Sequence, residues 1–400
     1  MEIQLYTPHH NQRIIHDAIN NSNQKYYVLN IGRQFGKSLL ATNQVLYWAF
    51  NEICDIAWVS PIYNQANKVY EQVVKAFSNN PSVFKKKDGQ KLKIEFINGS
   101  TLQFFSAERY DNIRGFTFDY LICDEFAFMD SEAWTAVLRA TILVKGKKVL
   151  LISTPNGKNH FYQLFSLDGI NEQYKSFKMT SYDNPMIDPK EIDDARLTLP
   201  EHIFKQEYLA EFVDGGSSVF GEINYSEEVK ESKLFYGGLD VARADDYTVL
   251  TIFNDKGNMV FIDRWRHDSW TNIVAKAAKI IEQYNANVYV EVNSIGDPIF
   301  EMLKQILNNK NLVQPFVTTS KSKQDIIEQL AVANQNKEVT ILPVEWLKKE
   351  FDVFTYEYNP KTRIIKYSAP SGFHDDGIMS SAIGYESFKK LKLKGKYFIV

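Results

Sequence analysis

The sequence predicts an α/β protein in two parts: an N-terminal domain with a mostly parallel sheet over residues 1–213, and a second domain over 234–400, joined through 214–233. Three observations predict it. Strand-like and helix-like segments alternate to about residue 210, as a parallel sheet with crossover helices requires. A glycine turn, Gly32-Arg33-Gln34-Phe35-Gly36-Lys37-Ser38, stands between an apolar strand pattern and a helix pattern. Composition then breaks at Asp214-Gly215-Gly216-Ser217-Ser218, and the pattern restarts at Leu234.

The first strand is 26–31, Tyr-Tyr-Val-Leu-Asn-Ile, and the helix after the turn covers 39–49. Strand, glycine turn and helix gather backbone N–H groups and a positive helix end around one concavity, which suits a polyphosphate. Lys37 would reach the terminal phosphates and the Ser38 hydroxyl would bind Mg²⁺. The turn is a variant: three residues separate its glycines, and Ile31 takes the usual first-glycine place. A strand at 55–61 stops at Pro61, and a helix follows over 64–78. Segments 92–97 and 101–106 alternate about Asn98-Gly99, a hairpin signal. The strand 118–125 ends in Asp124-Glu125. Strand ends in a parallel sheet open onto the ligand crevice. Asp124 there would hold Mg²⁺, and Glu125 would act as general base toward the attacking water. A helix near 131–140 and a strand at 148–155 complete the set. The first part thus reads as a P-loop NTPase domain.

Beyond the linker, strands are expected at 235–241, 248–254 and 259–264, then a helix at 271–284, a strand at 288–292 and a helix at 377–390. Carboxylates sit at their ends: Asp240, Asp246, Glu291, and Asp375-Asp376 after His374. An antiparallel meander, then helix, strand and helix, is the order of a ribonuclease H-like nuclease domain. Such an acid set holds two divalent ions that clamp the attacking and leaving oxygens of a phosphodiester. Oxygen ligands favour Mg²⁺ or Mn²⁺ over zinc. Either Asp375 or Asp376 could supply the late ligand.

Four hundred residues suit two domains, and 44% apolar with 24% charged residues is a globular profile. No apolar run is long enough to span a membrane, and the N-terminus has no secretory apolar region, so an intracellular protein with no membrane partner is expected. The two cysteines, Cys54 and Cys123, are expected as buried thiols. Net charge is −3, yet lysines gather at 85–87, 91 and 93 and again at 389–396. Either patch could follow phosphates or be an ordinary solvated face.

These motifs together resemble the large terminase subunit of tailed bacteriophages, over about residues 5–390. The likeness rests on the variant phosphate loop, Ile122-Cys123-Asp124-Glu125, Ser153-Thr154-Pro155, the Glu211–Phe220 passage, and the acids Asp240, Asp246, Glu291 and Asp376. It implies a viral packaging motor that uses ATP to drive double-stranded DNA into a procapsid and cuts concatemers with its nuclease. It implies a portal protein and a small terminase subunit as partners, a homo-oligomeric ring, and the host cytoplasm as location. It further implies that Gln12 reads adenine, that Ser153 and Thr154 couple hydrolysis to movement, and that Arg114 or Arg33 serves as arginine finger. A helicase or restriction-type translocase would share the loop and the Asp-Glu pair but would carry a second motor domain. A nucleotide-gated DNA-binding scaffold would keep the acids without cutting.

Overall fold

The computed structural model describes residues 6–213, 219–228, 231–241, 246–266, 268–293, 296–359 and 364–396. Its contacts fall into two compact units, one formed by 6–194 and 203–213, the other by 195–202, 219–359 and 364–396.

The first unit runs α1 (His10–Asn21), β1 (Tyr26–Ile31), α2 (Lys37–Asn51), β2 (Asp55–Ser60), α3 (Tyr63–Ala76), β3 (Phe84–Asp88), β4 (Lys93–Phe96), β5 (Thr101–Ser106), β6 (Tyr120–Asp124), β7 (Lys148–Ser153), α4 (His160–Phe165) and β8 (Tyr174–Met179). Helices α5 (Pro189–Thr198) and α6 (Glu201–Glu207) follow, with residues 195–202 counted in the second unit. The strands form one sheet in the order β3-β4-β5-β2-β6-β7-β1-β8, parallel from β5 to β8 with an antiparallel hairpin at the β3 edge. Tyr27, Leu29, Ile56 and Ile122 face a core shared with Ile15, Leu40 and Val69, while Val28, Ala57, Leu121 and Leu151 face Phe126, Trp134 and Phe161. Burial on both faces explains why β1, β6 and β7 read as near-continuous apolar runs. Cys54 and Cys123 are free and buried, and burial pushes both thiols up, Cys54 to about 12.

The segment expected as an ordinary helix near 131–140 differs. A π-helical turn spans Ala133–Leu138 and a 3₁₀ turn spans Ala140–Ile142. The wider turn lets Arg139 N–H donate to Trp134 O at 3.2 Å, and Ala133, Trp134, Val137 and Leu138 are all buried.

The second unit runs β9 (Phe235–Asp240), β10 (Thr248–Asn254), β11 (Met259–Trp265), α7 (Trp270–Tyr284), β12 (Asn287–Glu291), α8 (Gly296–Ile306), β13 (Val313–Phe316), α9 (Ser320–Gln335), α10 (Glu345–Val353), β14 (Thr355–Asn359), β15 (Ile364–Ser368) and α11 (Asp376–Lys396). Its sheet order is β11-β10-β9-β12-β13, antiparallel through β9 and parallel beyond, the ribonuclease H-like arrangement. Apolar residues of α7 and α8 cover one face; α9, α10 and α11 supply the core on the other.

The stretch read as linker is split. Residues 214–218 lie outside the described residues, whereas Val219 and Phe220 are buried in the second unit's core. Phe220 meets Phe351 edge-on at 4.8 Å, and Asn334 donates to the Phe220 and Glu222 carbonyls. Irregular composition gave no sign of this docking.

Two features of this unit bear tests. Strand β9 and helix α11 meet at Gly238 and Gly384; a Cβ on Gly238 would lie 2.3 Å from both Gly384 N and Ser380 O. Those are backbone atoms and cannot swing aside, so Gly238→Ala is expected to destabilise the unit by about 3 kcal/mol, the upper range for overpacking. Chemical unfolding of the two proteins measures it.

His202 is buried, stacked on Tyr356 at 4.5 Å and 3.4 Å from the Tyr367 hydroxyl. Burial lowers it to about 4. The unfolded chain therefore binds more protons between that value and the ordinary 6.5, and His202's contribution of about 3 kcal/mol is present above pH 6.5 and lost as pH falls toward 4. His202→Gln should flatten that part of the stability–pH curve, read by urea unfolding at pH 7.5 and 5.

Candidate active sites

Two groups of side chains form, one in each unit. In the first, β1 feeds the glycine turn and α2 begins at Lys37. Gln34 (φ 60°) and Gly36 (φ 92°) both take the left-handed conformation, which curls the loop into an anion-binding nest. Gly36 pays no Cβ penalty there. Outer contacts hold the loop: Gly32 N–H donates to Met179 O, Ser181 Oγ to Arg33 O and Asn184 Nδ2 to Gln34 O, at 2.7 to 2.9 Å.

Strands β1, β7 and β6 are adjacent and parallel, with Asn30 level with Ser153 and Ile152 level with Asp124. This register delivers Lys37, Ser38, Asp124, Glu125 and Ser153 to one end of the sheet. Lys37 Nζ lies 3.2 Å from Glu125 Oε1, and Ser153 Oγ donates to Glu125 Oε2 at 3.4 Å. Glu125 itself sits in the left-handed region at φ 55°. A non-glycine residue held there is strained, which occurs where the surroundings fix it for function.

Asp124 is buried, and burial with the Glu125 charge pushes it up to about 7, against the opposing Lys37 charge and the Ser38 hydrogen bond. Its Oδ1 is buried with no hydrogen-bond partner. A divalent cation fits such a carboxylate: it would satisfy the orphaned oxygen and return the group to its charged form.

The other expected residues divide. Gln12 is buried; its Oε1 accepts from His9 N and its Nε2 donates to Gly36 O at 3.4 Å, so it braces the phosphate loop against α1. Thr154 is buried beside Ser153. Arg33 pairs with Glu207 at 2.5 Å and Arg114 with Asp111 at 2.7 Å, both with exposed side chains.

In the second unit, β9 and β12 are neighbours with Leu239 level with Val290, which sets Asp240 beside Glu291. Their carboxyls share a hydrogen bond, and Asp240 is raised well above the ordinary range, by burial first and then by Glu291, Asp376 and Asp375. At the start of α11, Asp376 accepts from Tyr247 N at 3.0 Å. Burial, with the charges of Asp246 and Asp375, pushes Asp376 up to about 6. His374 Nδ1 stands 3.4 Å from Asp246 Oδ1 and 3.7 Å from Asp376 Oδ2. Each of Asp246, His374 and Asp376 offers a ligand atom within 4.8 Å of the others. Asp375 turns to Lys323 Nζ at 3.1 Å. Asp376 is therefore placed with Asp246, and Asp375 beside a lysine. Crowded carboxylates with raised proton affinity fit divalent cations, which would neutralise them.

Three contributors escaped the sequence reading. His374 was visible only as the neighbour of two aspartates. Glu350 on α10 accepts Gly377 N–H at 2.8 Å and caps α11; burial and the Asp376 charge push it up to about 8. Arg264 on β11 lies 3.8 Å from Glu350 Oε1. Neither belongs to a motif; Glu350 is a buried acid on the apolar face of α10 beside Leu347 and Phe351, the one local signal it carries, and Arg264 is an ordinary polar residue of an edge strand.

A family described as "Terminase large subunit, T4likevirus-type, N-terminal" matches residues 28–226. The large terminase subunit of Thermus virus P23-45 is 27% identical over 442 residues, spanning 97% of this chain and 89% of that protein. The large terminase subunit of Escherichia phage T5 is 29% identical over 262 residues, 62% of this chain and 60% of that one. A large terminase structure from a thermophilic bacteriophage superposes with a TM-score of 0.53 at 13% identity, covering 96% of this chain and 98% of that one, a likeness of fold. No helix among the described residues is long and apolar enough to cross a membrane.

Proposed function

The chain belongs with the phage large terminase subunits, and from that premise we propose that it is a DNA-packaging motor subunit, an ATPase and a metal-dependent DNA endonuclease. The observation that supports the reading is two clusters of side chains on one chain: Lys37, Ser38, Asp124 and Glu125 in the first unit, and Asp240, Asp246, Glu291 and Asp376 in the second.

In the first site, the loop N–H groups and Lys37 bind the β- and γ-phosphates of ATP, and Ser38 with Asp124 would hold Mg²⁺. A γ-phosphate arriving at Lys37 takes over its contact with Glu125 and frees that carboxylate to orient the attacking water. Ser153, hydrogen-bonded to Glu125, senses the change, and with Thr154 passes it to the strand end. Gln12 reads adenine only by exchanging its present bonds to His9 and Gly36. Arg114 is the better finger toward a neighbouring subunit, since its surface pair with Asp111 is weak and readily exchanged; Arg33 is tied to Glu207 on its own chain.

In the second site, Asp240, Glu291, Asp246 and Asp376 would hold Mg²⁺ or Mn²⁺, with His374 as an added ligand and Asp375 kept in support by Lys323. A bound cation pair supplies Lewis acidity and a lowered water pKa for phosphodiester hydrolysis. Residues 1–213 and 234–400 serve as the ATPase and nuclease domains, with 214–233 between them. Double-stranded DNA is the substrate, and a ring of copies on a portal protein, loaded by a small subunit in the host cytoplasm, is the working assembly.

The test is direct. The purified full chain should hydrolyse ATP with Mg²⁺ and cut plasmid DNA with Mg²⁺ or Mn²⁺. DNA binding with no cutting in either metal would leave the scaffold reading instead.

A further inference from the structure

Resting on the nuclease reading above, we propose that Arg266 is a DNA-backbone contact of the second site, the guanidinium that seats a phosphate flanking the one to be cut. Arg264 lies in β11 and Arg266 is the first residue beyond it, and both guanidiniums lie near the Tyr247 ring. The register pairs Val249 with Arg264 and Thr248 with Trp265, which brings Tyr247 opposite this end of β11.

The two arginines are used differently. The Arg264 guanidinium lies between the Tyr247 and Trp346 rings, at 4.2 and 4.4 Å from their centroids, and near Glu350. It is fully engaged. The Arg266 guanidinium rests 5.1 Å from the Tyr247 centroid, and its Nε is buried with no hydrogen-bond partner. Among the described residues it makes no ion pair. A buried donor left unpaired is costly, and such a group in a folded protein calls for a partner. Guanidinium has donors only, so that partner is an acceptor, and its fork matches a phosphate.

The setting selects the phosphate. Tyr247 carries Arg266 on its ring, donates its N–H to Asp376, and meets the His374 ring edge-on at 5.1 Å. One residue thus links the unpaired cation to the acid group. An isolated anion would be repelled by those acids. A nucleic-acid strand avoids this: one phosphate reaches the cations held by the acids while the next reaches Arg266. Contacts of this kind fix register on the duplex and carry no sequence preference.

Duplex binding by the full chain, followed by fluorescence anisotropy in Ca²⁺ from 50 to 200 mM KCl, tests this together with plasmid cleavage in Mn²⁺. Arg266→Gln is expected to raise the KM for DNA by about ten- to a hundredfold and to reduce the slope of log affinity against log salt by about 1. Arg266→Lys should restore the slope. ATP hydrolysis should be unchanged in both, which separates a DNA phosphate from a nucleotide phosphate. Unchanged KM and slope in Arg266→Gln, with a wild type that cuts, would overturn the contact and leave the nuclease standing. Loss of slope in Arg266→Lys as well as in Arg266→Gln would also overturn it, marking a packing role. A wild type that cuts in neither metal removes the nuclease reading and this proposal with it.

Discussion

Glu125→Gln should cost about 10²–10⁴ in ATP turnover, the range for a positioned general base, and leave nucleotide binding close to wild type. The glutamine keeps the size of the side chain and can still accept from Ser153 Oγ, so the strand end is expected to hold. What it loses is the carboxylate proposed to polarise water. The change also removes the charge beside Asp124 that raises its proton affinity, so Asp124 becomes a better cation holder. Lys37 loses its 3.2 Å partner and is freed for phosphate. Both effects favour binding, which makes the split between binding and turnover diagnostic. Phosphate release and fluorescent-nucleotide titration measure the two sides. Hydrolysis within a few-fold of wild type would remove Glu125 from the chemistry.

The second large effect is expected at Asp240→Asn. Cutting should fall by about 10³-fold or more, because a bound metal contributes several kcal/mol to phosphodiester hydrolysis, while ATP turnover stays intact. The same change should raise the melting temperature in the presence of EDTA. Asp240 is buried among Glu291, Asp375 and Asp376 and held well above its ordinary pKa, so its charged form opposes folding at neutral pH. The sign follows: a carboxyl whose folded pKa is raised makes the fold less stable as pH climbs through its ordinary value. Asparagine removes that charge at constant shape. In the wild type, Mn²⁺ should raise the melting temperature; in the variant, that rise should shrink. A variant that cuts like wild type, or melts lower in EDTA, would contradict the assignment.

Much of both sites was legible in the sequence, for physical reasons that also explain the gaps. Strands buried on both faces must be continuously apolar, so 26–31 and 118–125 stood out, and the polar residues at their ends stood out with them. The variant spacing of the glycine loop did not matter, because left-handed backbone at Gln34 and Gly36 still forms the nest. The order of strands and helices after 234 was enough to put Asp240 and Glu291 in one acid set, and the sheet sets their strands side by side. Short edge elements were less visible. Strand β13 contains Pro315, which lowers its strand signal, and β8 mixes lysines with apolar residues. Pairings between distant polar residues left no trace at all: Glu350 lies buried on the same face of α10 as Leu347 and Phe351, and nothing local says that it caps α11. The same limit hid the placement of Gln12, whose amide the sequence suggested for adenine and which the fold uses as a brace on Gly36.

The glycine pair at the β9–α11 crossing has a consequence for how the second unit's candidate site can change. Because Gly238 sits against the backbone of α11, main-chain atoms rather than bulky neighbours set the gap between the elements bearing Asp240 and Asp376. Trimming aliphatic residues elsewhere in that lobe should soften it without altering the bite, the spacing between those acids. Conversely, moving the acids alone onto another scaffold would not reproduce the bite; the side-chain-free crossing must travel with them.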